Sequence, residues 1–311
     1  MADRAVSHPG FWRRLFDGDL AWSFRHSPVA MVSALVAAAI ILGAVFAGLV
    51  APHNPFDLST VSLLDALDPP SWMEGGTADF LLGTDSQGRD MLSAILFGSR
   101  ISLLVGALSV VFAVTLGVAA GLLAGWLGGA VDAVIMRLAD VQLSFPAILV
   151  ALLIDGVART ALPHDVQDRI AVWVLVISIG LSGWVQFART VRGSVLVERN
   201  KEYVQAARII GVAPARILVG HVLPNVLTPV LVIATIYLAN AIITEATLSF
   251  LGVGVPPTQP SLGTLIRVGN SFLFSGEWWI TLFPAATLAA LILSVNLLGD
   301  WVRDALNPRL N

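Results

Sequence analysis

The sequence predicts an all-α integral membrane protein with six transmembrane helices. Of its 311 residues, 56% are hydrophobic and only 13% are charged, whereas soluble domains carry about 25% charged residues. Several uncharged apolar stretches follow one another, and each has about the 20 residues that a helix needs to cross a hydrocarbon core of about 30 Å. A water-soluble globule is therefore excluded.

The first predicted transmembrane helix covers residues 29–51. It contains 23 residues without a charge and follows a tail, residues 1–28, that includes Arg13, Arg14 and Arg25. The apolar region of a signal peptide has only about 7 to 15 residues. We therefore expect this helix to remain in the membrane.

Five further transmembrane helices form a predicted core over residues 101–299. The third span of the chain is the least regular, because Asp140 and Gln142 lie near its start. Uncharged apolar stretches place the five helices at residues 101–127, 138–154, 170–188, 226–251 and 280–299.

Lysine and arginine residues predict the orientation of the chain in the membrane. The side that holds both termini and the segment 189–224 carries 13 of the 18 basic residues, and the other side carries 5. Because basic residues concentrate on the cytoplasmic side, we expect the tails, 1–28 and 300–311, to be cytoplasmic. The segment 52–100 is then an extracytoplasmic loop, and its seven acidic residues predict a hydrated, charged surface.

Glycines at intervals of four predict a helix-packing surface in the second span. Gly117, Gly121 and Gly125 share one face of a helix, where the missing side chains let another backbone approach closely. Packing is the commoner use of this pattern, and a role in gating is the alternative. The sequence leaves open whether the facing helix belongs to this chain or to another subunit.

The segment 189–224 predicts two short helices held between two membrane spans. Strong helix formers from Glu198 to Ile210 place apolar residues at helical spacing. Gly211 is positioned to end this helix and Pro214 to begin the next one. Such a protrusion is suited to pushing on a partner protein, and the alternative is an amphipathic helix that lies on the bilayer surface.

This segment also carries a resemblance to a known family. Its QAA at 205–207, Gly211 and HVLP at 221–224 resemble the EAA loop of ABC-transporter permeases of the binding-protein-dependent import class, in which many members have Glu at the position of Gln205. Further stretches are similar to the second permease subunit of dipeptide, oligopeptide and nickel importers: LGTDSQGRD at 82–90, GSRISL at 98–103, EATLSFLG at 245–252, PPTQPSLG at 256–263, and NLLGD with RDALNPR between 296 and 309. Leu262 stands where these permeases usually have Trp, and Asn307 stands where they usually have Asp. The resemblance covers the chain from about residue 30 to its C-terminus.

The resemblance implies the type I ABC-importer permease fold, with short cytoplasmic coupling helices that dock on an ATPase. It implies a complex in the bacterial inner membrane, in which a second homologous permease completes a heterodimer and an extracytoplasmic substrate-binding protein delivers cargo. One or two cytoplasmic ATPase subunits would use ATP and Mg²⁺. Ala206 and Ala207 would form the close-packed contact with the ATPase. The coupling residues implied are Glu202, Gln205, Ala206, Ala207, Arg208, Gly211, Arg216, Leu223 and Pro224.

We expect this chain itself to be non-catalytic. A phosphate-binding P-loop requires Gly-Lys-Ser/Thr, and the only lysine is Lys201, which precedes Glu202. The spacing of the five histidines predicts no metal site, and the chain contains no cysteine. Its net charge of −3 offers no basic field for nucleic acid. We therefore expect no cofactor in this chain, and membrane lipid as its surroundings.

A few polar residues in the predicted spans are candidates for a transport pathway or a gate. Asp140 is spaced to pair with Arg137 on one helix face, or to act at an inner gate. Glu245, near the outer end of the fifth span, is either a pathway group or a buried hydrogen-bond acceptor for a neighbouring subunit. Three uncharged residues are suited to lining a pathway or to hydrogen bonding between helices: Asn240, Thr244 and Asn296.

These features together favour the permease subunit of an ATP-driven importer of di- or oligopeptides, which forms half of the pathway. Nickel, glutathione or an opine-like conjugate is the alternative cargo, because the sequence of a pore-forming subunit does not identify what passes. A stand-alone secondary transporter or channel is less favoured, since neither an internal repeat nor a filter-like polar ring is visible. An intramembrane hydrolase is disfavoured because the sequence offers no catalytic constellation.

Overall fold

The computed structural model describes residues 19–57, 61–161, 163–256 and 259–305, which are mainly helical. The predicted all-α membrane fold is confirmed, while residues 1–18 and 306–311 of the two predicted tails lie outside the described residues. The helices in chain order are α1 (Asp19–His26), α2 (Pro28–Val45), α3 (Ala47–Val50), α4 (Met91–Leu127), α5 (Gly129–Leu143), α6 (Ala147–Ala161), α7 (His164–Glu198), α8 (Glu202–Ile209), α9 (Pro214–Ile217), α10 (Leu223–Phe250), α11 (Leu262–Asn270) and α12 (Trp279–Ala305).

Five segments of the described chain are long and apolar enough to cross a membrane. They comprise α2, α4, α7 from Ile170, the continuous helical segment Pro214–Phe250, and α12. The bent pair α5–α6 raises the number to the predicted six if it counts as one span.

Helix α4 packs against α7 through the glycines that the sequence singles out. A Cβ atom on Gly117 would lie 2.5 Å from Phe187 Cβ, and one on Gly121 would lie 2.6 Å from the carbonyl oxygen of Ala188. Such distances leave no room for a side chain, so the two backbones approach as closely as the pattern predicts. The facing helix belongs to this chain, which answers the question that the sequence left open.

Helix α4 begins at Met91, ten residues before the predicted start of the second span. The carboxylate of Asp90 accepts a hydrogen bond from the backbone N–H of Ser93 over 2.9 Å, which caps the helix. Met91 and Ile95 are buried against α11 and α12. The prediction placed the boundary at the charge of Arg100, but that residue lies on the exposed side of the helix.

The third predicted span, residues 138–154, is a pair of helices with a sharp break. Helix α5 ends at Leu143, α6 begins at Ala147, and their axes differ by 92°. Pro146 accounts for the break, because its ring lacks an N–H and disfavours the α conformation of Phe145 before it. The structure therefore corrects the prediction of one continuous helix.

Two acidic residues of the outer segment are buried, which corrects the prediction of a wholly hydrated surface. Asp85 is 1% exposed, and Asp90 is also buried. Arg89 donates from Nε to Asp85 Oδ2 over 2.7 Å, and the backbone N–H groups of Gln87 and Arg89 donate to Oδ1 over 2.8 and 3.0 Å. Because a buried ion pair is tolerated only when its remaining polar atoms are also bonded, these contacts make the motif at 82–90 an internal structural turn.

Candidate functional site

The segment between α7 and α10 contains the two short helices that the sequence predicts, joined by a left-handed turn. The N–H of Gly211 donates to Arg208 O over 3.1 Å, and the N–H of Val212 donates to Ala207 O over 3.0 Å. These bonds form a Schellman motif, which requires a positive φ at its glycine. Gly211 has φ +82°, and Pro214 takes a first-turn position in α9.

One face of α8 packs into the chain's own core. Val204 and Ala207 are buried, and they belong to the same apolar cluster as Ile217 and Val222. Ala207 is only 6% exposed, so in this structure it packs against the chain's own core. The preceding residue, Ala206, is exposed.

The outward face of α8 is apolar. Ile209 is 85% exposed and Ile210 is 78% exposed. With Ala206 they follow helical spacing on one side, and we call these three residues the coupling surface. Exposed apolar surface of this kind marks a contact with another protein or with lipid. The charged and polar candidates of the segment are also exposed: Glu202, Gln205, Arg208 and Arg216.

Two arginines, one just before α8 and one within it, contact the C-terminal end of α4. The guanidinium of Arg208 lies 5.0 Å from the centre of the Trp126 ring, an arrangement worth about 0.5–1 kcal/mol at an exposed site. Arg199 Nη1 donates to the carbonyl oxygen of Gly125 over 2.8 Å. Arg208 therefore contacts the end of α4 from within α8, and Arg199 contacts it from the residue that follows α7.

A hydrogen-bond network connects α7, α8 and the start of α10. Glu198 accepts hydrogen bonds from Lys201 Nζ and Tyr203 Oη, each over 2.6 Å. Asn225 Nδ2 donates to Tyr203 Oη over 3.2 Å and to His221 O over 2.7 Å. Burial, together with the bond to Glu198, raises the pKa of the Tyr203 phenol. The hydroxyl therefore remains protonated at neutral pH and keeps donating to Glu198.

A π-helical turn, Leu218–Val222, leads directly into α10. Pro224 follows it, and a proline ring would clash with the carbonyl four residues earlier in a regular α-helix, so a wider turn fits here. Leu223 is half-buried and Pro224 is exposed. The wide turn sets the direction of α10 relative to α8.

Polar candidates on α10 lie on an exposed stripe. Asn240 is exposed, and Thr244 and Thr247 are half-buried at helical spacing along the same side, beside the exposed Ile243 and Phe250. Both threonine hydroxyls donate over 2.8 Å to carbonyl oxygens four residues earlier. We call these five residues the α10 stripe, and each of them is exposed or half-buried in the described chain.

Glu245, in contrast, is fully buried and bonded within the chain. Its Oε2 accepts from Ser102 Oγ of α4 and its Oε1 from Ser249 Oγ, each over 2.7 Å. Ser102 Oγ in turn accepts from the backbone N–H of Leu262 over 3.3 Å. The geometry therefore favours a structural acceptor that holds α4, α10 and α11 together, rather than an acceptor for another subunit. Asn296 is half-buried on α12.

Two ion pairs join α5 to α7. Asp140 pairs with Arg189 over 2.5 Å, and not with Arg137 of its own helix as the spacing suggested. Asp132 pairs with Arg192, also over 2.5 Å. Sequence spacing identifies neighbours on one helix only, and here the facing helix supplies the closer partners.

Sequence analysis missed two polar residues on the bent pair. Gln142 donates to Leu181 O over 2.5 Å and accepts from Trp184 Nε1 over 2.6 Å. Asp155 is buried on α6. The available signal for Asp155 was a charge at the end of an apolar stretch. Gln142 had no such signal, because its partners are 39 and 42 residues away in the chain.

The described residues contain no group of three or more His, Asp or Glu side chains placed to hold a metal ion. The arrangement instead offers an exposed apolar surface on α8, whose residues Arg208 and Tyr203 contact α4, α7 and α10.

Comparison with known proteins identifies the family. Residues 117–311 match the model of the binding-protein-dependent transport system inner membrane component, and residues 10–70 match the N-terminal TM domain of oligopeptide transport permease C. The chain is 38% identical to the di/tripeptide transport system permease protein DppC of Pseudomonas aeruginosa, over 93% of this chain and 90% of that one. It is 36% identical to the oligopeptide transport system permease protein OppC of Bacillus subtilis, over 94% and 89%.

A solved structure with the same fold is that of the MetNI methionine ABC transporter in inward-facing conformations. The TM-score is 0.52 at 19% identity, over 69% of this chain and 97% of that one. The matched models and the relatives show that this chain belongs to the binding-protein-dependent inner-membrane permeases of ABC importers, in the branch of the dipeptide and oligopeptide permeases.

Proposed function

We propose that the chain is the transmembrane subunit of an ATP-driven importer of di- or oligopeptides. The observation that carries the proposal is the coupling surface together with its bonds to α4, α7 and α10. An ATPase that binds Ala206, Ile209 and Ile210 would move these three helices together. The names of the relatives support a peptide cargo, and nickel, glutathione or an opine-like conjugate is the alternative.

The chain would supply half of the translocation pathway, and a second homologous permease would supply the other half. The α10 stripe supports this arrangement, because its hydroxyl and amide groups suit a protein or water contact better than a lipid contact. The candidate pathway residues are then Asp140, Asn240 and Thr244, with Asn296 as a half-buried neighbour. Glu245 has a structural role.

The chemistry of ATP hydrolysis, with its Mg²⁺, would belong to one or two cytoplasmic ATPase subunits, and this chain would have no catalytic residue. Both termini and residues 189–224 would face the cytoplasm, where the ATPase binds. The outer segment 52–100 would face the substrate-binding protein. The distribution of basic residues supports this orientation.

Cross-linking tests the proposed contact with the ATPase. The native chain has no cysteine, so an Ile210→Cys variant introduces a single thiol on the coupling surface. In the complete complex, a short reagent with one thiol-reactive end and one photoreactive end should join this position to the ATPase. Leu35→Cys, exposed on α2, is the control and should not react with the ATPase. Absence of the cross-link at Ile210 in an assembled complex would overturn the assignment of this surface.

A further inference from the structure

The break between α5 and α6 lies inside the apolar layer of the protein. Gln142, next to the break, is bonded to Leu181 and Trp184 of α7. The apolar span of α7 begins at Ile170. At 1.5 Å per residue, Leu181 lies about 16 Å along the helix from Ile170 and about 12 Å from Arg189. The break is therefore at membrane depth and not at its surface.

The residues at this break are exposed in the isolated chain. Phe145 is 59% exposed, and Leu143, Ser144 and Pro146 are exposed as well. A new helix starts at Ala147, and the first N–H groups of any helix lack intrahelical partners. Non-helical backbone at membrane depth is tolerated only where protein buries it or where it borders a water-filled cavity. Lipid therefore does not cover this break.

An ion pair on the same side of α5 favours water, rather than another protein, as the cover of the break. Asp140 precedes Ser144 by one helical turn, and the Ser144 hydroxyl donates to Asp140 O over 3.0 Å. The side chains of Asp140 and Arg189 form their pair while 52% and 47% exposed. A charged pair at this end of the apolar layer is favoured to face water.

We propose that the α5–α6 bend, residues 143–146, lines the hydrated translocation pathway in its cytoplasmic half, with the Asp140–Arg189 pair at the mouth. The inference rests on the proposed transport function. It assigns part of the lining of the translocation pathway to a segment that the sequence predicts to be an ordinary transmembrane span. Phe145 is the largest side chain that the bend presents to the pathway.

Accessibility of introduced thiols tests this assignment. Single-cysteine variants Ser144→Cys and Phe145→Cys are reconstituted with the partner permease, the ATPases and the binding protein, and a permanently charged, membrane-impermeant thiosulfonate is added. Modification of this chain alone is followed by its mass. Leu35→Cys, an exposed position in the middle of α2, is the lipid-facing control.

Thiols at the bend should react at least about tenfold faster than the control, because only the thiolate reacts and an apolar environment raises a thiol pKa by a unit or more. Trapping the ATP-bound state should slow both reactions severalfold, since the cytoplasmic half then closes. Rates equal to that of Leu35→Cys overturn the inference, and so does a fast rate that nucleotide leaves unchanged. Peptide uptake by the same vesicles is measured separately. If the vesicles transport peptide but the thiols fail the labelling test, only the assignment of the bend to the pathway is refuted. If well-assembled complexes show no uptake, the proposed transport function is refuted.

Discussion

Ala206 and Ala207 are adjacent in the chain but have different surroundings. Ala206 belongs to the exposed coupling surface, and Ala207 packs into the core beneath α8. Under the proposed function, this short motif with two alanines would combine a contact for a partner with a contact for the fold. Only the structure separates the two tasks, since both residues are small and apolar.

Aspartate substitutions should separate these tasks experimentally. We expect Ala207→Asp to destabilise the protein by about 3 kcal/mol or more, because it buries a charge without a partner. Ala206→Asp should leave the unfolding temperature in detergent nearly unchanged, but it should lower binding-protein-stimulated ATPase activity in the complex. Equal unfolding temperatures for the two variants would contradict the packing described for α8.

Glu245 provides a second residue-scale prediction. Replacement by Ala removes the acceptor of two buried serine hydroxyls, and each unsatisfied group costs about 1–3 kcal/mol. Replacement by Gln keeps an acceptor and should restore most of the stability. Thermal unfolding of the purified subunit measures both. If Glu245→Ala were as stable as Glu245→Gln while uptake failed in both, the residue would be a pathway group after all.

At the scale of elements, the seam between α4 and α7 determines how the core packs. The glycine spacing predicted a close approach of helices, and the structure identifies α7 as the neighbour. The break between α5 and α6 was not predictable in the same way. No local pattern reveals the 92° angle or the attachment of Gln142 to α7.

Matched glycine substitutions test the seam. Gly121→Ala would place a Cβ 2.6 Å from Ala188 O, and overpacking of this kind costs about 1–3 kcal/mol. Gly193→Ala on α7 is the control, because no atom lies within 4 Å of its added Cβ. We expect the control to be neutral or slightly stabilising in thermal unfolding. An equal loss of stability in both variants would contradict the close packing described for the seam.

The turn after α8 gives a prediction about coupling. Proline cannot adopt the φ of +82° found at Gly211, and it would also remove the N–H that donates to Arg208. Gly211→Pro should therefore reduce stimulated ATPase activity and uptake together, while the protein still reaches the membrane. Gly220→Ala, which meets no atom within 4 Å, should retain both activities. Normal uptake by Gly211→Pro would exclude the turn from coupling.

At the scale of the whole molecule, charge-free stretches were sufficient to predict the membrane class and the centres of most spans. The described chain has five spans, or six if the bent pair counts as one. The ends of the spans were less predictable where charged residues are buried, as Asp85 and Arg89 are, or where a charged residue lies on the exposed side of a helix, as Arg100 does. The motif at 205–224 located the two short helices α8 and α9, but their partners on other helices, such as Trp126, were not predictable from spacing. Long-range contacts of this kind depend on packing that a single sequence does not display.

Peptide uptake by a reconstituted complex tests the central claim most directly. Vesicles contain this chain, the neighbouring permease and the ATPases, and they are supplied with the binding protein, ATP and a radiolabelled dipeptide. The account predicts accumulation that requires every component and is lost with Ala206→Asp. Robust uptake by the purified chain alone, without ATP, would contradict it and would place the chain in another class of transporter.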